Sequence, residues 1–67
     1  MENNSFIDYL KTLPDNSGQL VDLKHSNGII RCFFMWFYND NKIDLRPIDS
    51  MSIISVDSIN FNKITKI

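Results

Sequence analysis

The row from Ile29 to Tyr38, IIRCFFMWFY, constrains this chain more than any other segment, because Arg31 is the only polar residue in it. Successive side chains of a strand point to opposite faces. A strand without alternation therefore has both faces covered, one by the protein's own core and the other by something further. The row follows Asn27-Gly28, the pair preferred in the two-residue loop of a type I′ hairpin, and a second strand-like run lies before that pair. A hairpin over about residues 19–38 follows. With Asn27 and Gly28 as the loop, Ser26 faces Ile29, His25 faces Ile30, Leu23 faces Cys32, Val21 faces Phe34 and Gln19 faces Trp36. This register collects Val21, Leu23, Ile30, Cys32, Phe34 and Trp36 on one face, the expected core. The other face carries Leu20, Asp22, Lys24, Arg31, Phe33, Met35 and Phe37, polar near the turn and apolar far from it. A long strand that changes character midway is expected where a sheet bends strongly and closes into a small barrel.

The flanking segments fit the same architecture. In SFIDYLKTLP, Phe6, Leu10 and Leu13 recur at helical spacing, Ser5 and Asp8 have the spacing of a capping box, and Pro14 stops the element, so a helix is expected over about residues 5–13. NDNK at 39–42 makes a turn before a short strand in which Ile43 and Leu45 alternate with Asp44 and Arg46, closed by Pro47. In the last stretch Met51 and Ile53 alternate, Ile54 and Val56 alternate on the other parity, and Ile59 and Phe61 return to the first. The adjacent Ile53 and Ile54 imply a bulge or a strand covered on both faces. The expected fold is mainly β: one domain over residues 1–67, a small five-stranded SH3-like or Sm-like barrel, or an OB-like one, with a short N-terminal α-helix.

A chain of 67 residues is close to the lower size at which a domain folds unaided, so an additional source of stability is expected. A disulfide is excluded by the single cysteine, and cysteine-rich zinc motifs with it. A single histidine argues against an all-protein metal site. Oligomerisation remains, with Phe33, Met35 and Phe37 as the expected interface of a homo-oligomer. The opening MENNSF has neither a basic nor an apolar leader region, and the apolar run Cys32–Tyr38 is too short to span a bilayer, so no membrane role and a cytoplasmic location are expected. Seven basic residues against eight acidic ones give a net charge of −1, without runs of either sign. Strong phosphate-tracking proteins carry a basic excess, so non-specific DNA binding is disfavoured.

Catalytic groups are scarce. Cys32 sits among Ile30, Phe34 and Trp36 and reads as a small hydrophobe, while His25 reads as an exposed neighbour of the turn, so no nucleophile–base pair is expected. NDNKID lacks the glycine and terminal glutamate of an EF-hand, and two glycines cannot build a phosphate cradle. The expectation is a non-enzymatic protein without cofactors. Aromatic residues beside isolated basic ones form the remaining constellation: Trp36, Tyr38 and Phe61 with Arg31 and Arg46 suit a platform on which a base stacks and an arginine pairs. The candidate ligand-binding set is Arg31, Trp36, Tyr38, Asn39, Asn41 and Arg46.

Read in order, SFIDYLKTL, GQLVDLKHSNGIIRCFFMWF, KIDLRPID and SIISVDSINF resemble the layout of the Sm-like family, bacterial Hfq included: a helix followed by five bent strands. That resemblance implies rings and binding of uridine-rich RNA. The Tyr-Lys-His signature of Hfq is replaced by Ser55, Val56 and Asp57, so no pocket residue is carried over. LKTLPDNSGQLVDLKHSNG also resembles the opening strands of bacterial translation initiation factor one, an OB-fold protein. Two functions are therefore expected as alternatives: an oligomeric small barrel that binds RNA or a nucleotide, or a phage or mobile-element protein that binds and inhibits or sequesters a host protein target, the latter suited to an Asn-, Ile-, Ser- and Lys-rich composition.

Overall fold

The computed structural model describes residues 4–67. Helix α1 (Asn4–Lys11) precedes strands β1 (Leu20–His25), β2 (Gly28–Asn39), β3 (Lys42–Pro47), β4 (Ile54–Asp57) and β5 (Ile64–Lys66), and a 3-10 helix, Ser58–Lys63, links the last two. All ladders are antiparallel, in one sheet of order β4-β3-β2-β1-β5. The mainly β expectation with five strands and one short helix holds. Closure does not: β4 and β5 are opposite edges with no ladder between them. The sheet is curled all the same. A flat sheet would hold its two edges about 19 Å apart, four strand spacings, yet one buried cluster contains Val56 from β4 and Ile64 from β5, and the 3-10 helix packs on both β1 and β4. That helix delivers Phe61 to the core and leaves Ile59 outside.

Helix α1 covers the concave side. Ile7 and Leu10 are buried, and Phe6 and Leu13 pack at the margin of the same cluster, which places the apolar stripe a residue away from the expected Phe6–Leu10–Leu13 line. The helix ends at Lys11; beyond it Thr12 and Leu13 donate their N–H groups to the carbonyls of Tyr9 and Leu10 at 3.0 and 3.1 Å, a tightened last turn. Ser5 lies inside the helix and is therefore not its cap.

The hairpin forms one step from the expected place. His25 pairs with Gly28, Leu23 with Ile30 and Val21 with Cys32, so Ser26 and Asn27 are the loop. Within the turn, from His25 to Gly28, only Gly28 takes a positive φ, 140°. The His25 side chain supplies part of the turn, its Nδ1 accepting the Asn27 N–H at 3.4 Å. Both registers preserve parity, and Val21, Leu23, Cys32 and Phe34 are buried with Ile30 packed beside them.

Parity fails farther along β2. Phe34 pairs with Leu45 and Trp36 with Asp44, so two steps on β2 match one on β3 and Met35 is the extra residue of a bulge. The Met35 carbonyl accepts the Asn16 N–H at 2.7 Å, which holds the bulge from the loop before β1. After the bulge Phe37 turns inward, edge-on to Phe34 and Phe61 with ring centroids 5.8 and 6.3 Å away, and Trp36 turns outward. Two expectations are corrected here: Trp36 is not in the core cluster, and Phe37 does not share a face with Phe33. A second irregularity, at Tyr38, follows before the β2–β3 turn.

The segment before β4 is loop, not strand: Met51 is 90% exposed, and Ile53 and Ile48 are exposed with it. The paired isoleucines thus mark the entry to a strand, Ile54 packing on the core.

Candidate binding face on the outer side of the sheet

Cross-strand pairing builds the convex face as three polar couples in a row. Nearest the β1–β2 turn, Asp22 lies opposite Arg31 and accepts from its Nε and Nη2 at 3.0 and 3.4 Å. The carboxylate raises the already high guanidinium pKa, first by hydrogen bonding and then by charge. Two residues along, Phe33 lies opposite Arg46, whose guanidinium carbon stands 4.9 Å from the ring centroid, while Arg46 Nη1 donates to the Ser50 carbonyl at 3.0 Å. Past the bulge, Trp36 lies opposite Asp44 and donates its indole N–H to Oδ2 at 2.8 Å. Ser55, opposite Asp44 on β4, donates its hydroxyl to Oδ1 at 2.6 Å. Asp44 is only 6% exposed, so each carboxylate oxygen is satisfied by a donor from a different neighbouring strand.

The couples have different chemistry. Arg31 is neutralised by its partner. Arg46 stands over an aromatic ring, tethered by a carbonyl, with no carboxylate paired to it among the described residues. Beside it a cleft of about 210 Å³ is lined by Asn16, Gly18, Phe33, Met35 and Arg46. Gly18 has φ 86° and nothing within 4 Å of where a Cβ would stand, so glycine serves the backbone there and leaves the cleft wall low.

Of the residues expected from sequence, the structure brings Arg31, Trp36 and Arg46 onto one face. Tyr38, Asn39 and Asn41 stand apart at the exposed β2–β3 turn, where the Asn39 side chain accepts the Asn41 N–H at 2.8 Å and Lys42 Nζ lies 5.8 Å from the centre of the Tyr38 ring. The asparagines are turn-formers in this setting. Phe61, the third aromatic of the suggested platform, is in the core. Three members of the face escaped the sequence reading: Phe33 as the seat of Arg46, Asp44 as the anchor of Trp36, and Ser55. The alternation of β3 already grouped Asp44 with Arg46, but their partners depended on the bulge.

Cys32 is buried, with its thiol contacting the Ile30 carbonyl at 3.7 Å, and desolvation, then the Asp22 charge, push its pKa up. That environment suppresses the thiolate a nucleophile needs. Among the described residues no three His, Cys, Asp or Glu side chains group as a metal site, and no helix is long and apolar enough to cross a membrane. Fold and face together define a small antiparallel β protein with an aromatic, arginine-bearing convex surface. No family model, curated protein or solved structure matches the chain.

Proposed function

We propose that this is a non-enzymatic binding module whose convex face receives a flat unsaturated group, the base of single-stranded RNA or of a nucleotide, stacked against the Phe33–Arg46 pair. The observation that carries it is the geometry of Arg46. The cation stands over the Phe33 ring, and the cleft beside the pair offers room for a planar partner. Base stacking contributes about 1–3 kcal/mol per base and tolerates any sequence, which suits a protein whose net charge of −1 offers little counterion release. Trp36, clamped by Asp44, extends the surface along the strand.

The fold reading that goes with this function is an SH3-like or Sm-like meander left open at β4 and β5. It is supported by the consecutive meander of β1 to β4, the return of β5 beside β1, and the bulge that bends β2. Homo-oligomerisation is supported by the two edges, since β4 and β5 each pair on one side only within the chain. A cytoplasmic setting accords with a lone, unpaired cysteine. One observation favours the alternative of a protein target: Ile48, Met51 and Ile53 present an exposed apolar loop between β3 and β4.

Titration with a short oligouridylate, a nucleoside monophosphate and a nucleoside, followed by Trp36 fluorescence, tests the stacking face. Saturable quenching is expected, weakened about tenfold or more in Arg46→Ala, as loss of one stacked base contact implies. Absence of saturation with all three, together with capture of a protein through the Met51 loop, would replace this reading by the alternative.

A further inference from the structure

A second polar concavity lies at the far end of the sheet, between the β1–β2 turn and the 3-10 helix. It has a volume of about 480 Å³ and is lined by Lys24, His25, Ser26, Asn62 and Lys63. We propose that this cleft binds a phosphate group, as the free anion or as the monoester of a nucleotide.

The path of the 3-10 helix creates the site. The β1–β5 ladder ends at Leu23 opposite Ile64, and the residues next to that last pair, Lys24 and Lys63, the latter closing the 3-10 helix, line the same cleft. Two like charges lining one cleft repel each other. Neither ammonium has a carboxylate within ion-pair distance among the described residues, where the bridges run Arg31–Asp22 and Lys42–Asp57. The rest of the lining also supplies donors. Because His25 Nδ1 accepts the Asn27 N–H, the proton of the neutral imidazole sits on Nε2, which is left as a donor. Ser26 adds a hydroxyl and Asn62 an amide. Two cations and three neutral donors without an acid are complementary to a tetrahedral dianion, which offers acceptors in every direction and relieves the repulsion between the lysines. A metal cation is excluded by the same set, which holds no acid. The inference does not rest on the stacking face, which lies elsewhere on the sheet.

The test is a two-dimensional NMR titration of the full chain with inorganic phosphate at constant ionic strength, with sodium chloride as the reference salt. Saturable shifts are expected at the His25 imidazole, the Ser26 amide and the Asn62 side chain, together with a phosphate-specific rise in melting temperature. In the double variant Lys24→Gln, Lys63→Gln, affinity should fall at least about tenfold, equivalent to about 1.4 kcal/mol. Its melting temperature without phosphate should equal or exceed that of the wild type, since a repulsion has been removed, and this secures the comparison against misfolding. Shifts that stay linear and match chloride, or saturation unchanged in the double variant, would overturn the proposal. Adenosine and adenosine monophosphate separate the sources. If the monophosphate binds the cleft more tightly than inorganic phosphate, the ligand is a nucleotide; equal binding identifies the free anion. Saturation of the cleft by phosphate, with Trp36 unmoved by oligouridylate, nucleotide and nucleoside alike, would reject the stacking face and retain the phosphate site.

Discussion

Asp44 illustrates how one residue organises the convex face. A buried carboxylate is tolerated only when its oxygens are bonded, and here the donors are an indole and a hydroxyl from opposite sides. Asp44→Ala leaves both donors without their acceptor and should destabilise the fold by about 1–3 kcal/mol, with a smaller effect for Asp44→Asn, measured by urea unfolding. A variant as stable as the wild type would mean that desolvating the carboxylate had offset its bonds. Cys32 gives a pH signature. Its native pKa is raised above the ordinary thiol value of 9.0 by burial and by Asp22. In alkali the unfolded chain therefore loses a proton that the native chain retains, so stability is intact below that value and falls as pH rises through it. Between about pH 8 and pH 10 the wild type should lose more stability than Cys32→Ala. Equal losses would show that the native thiol ionises like a free one.

At the scale of elements, the bulge in β2 decides which aromatic side chains belong to the core. It sends Phe37 against Phe34 and Phe61 and leaves Phe33 beneath Arg46. Phe37→Ala should cost about 2–4 kcal/mol, low in the range for a buried phenylalanine because the ring is only half-buried. Phe33→Ala should cost about 1 kcal/mol, chiefly the loss of the cation–π contact. Strict alternation predicts similar losses for the two, so the ratio measured in one unfolding series distinguishes a bulged strand from a regular one. The 3-10 helix has a comparable role: by carrying the chain from one edge to the other it seats Phe61 in the core and brings Lys63 beside Lys24.

For the whole molecule, the question is what a curled, open sheet does with two unpaired edges. The buried cluster is small, as expected for a 67-residue chain. Edge pairing between copies would satisfy backbone groups and bury more apolar surface, including the exposed loop around Met51. Light scattering after size exclusion should therefore give a homo-oligomer at tens of micromolar. A stable monomer at that concentration would reject edge-to-edge assembly and leave the apolar loop as a surface for another protein.

That this chain is mainly β, with one N-terminal helix, a central hairpin and a core built on Val21, Leu23, Cys32 and Phe34, is legible in its residues alone. Those features rest on local periodicity and turn chemistry, which neighbours in sequence decide, and they survive a one-residue displacement of the loop because that displacement preserves parity. The rest depends on contacts between segments far apart in the chain. The bulge at Met35 depends on a hydrogen bond from Asn16, nineteen residues away in sequence, and no run of apolar residues reveals where alternation will skip. The partners of Arg46 and Trp36 and the burial of Asp44 follow from strand register, and the placement of Lys63 near Lys24 from the path of the 3-10 helix. Register is set by contacts between distant segments, and within a row as uniformly apolar as Cys32 to Tyr38 the pattern of residues leaves it open.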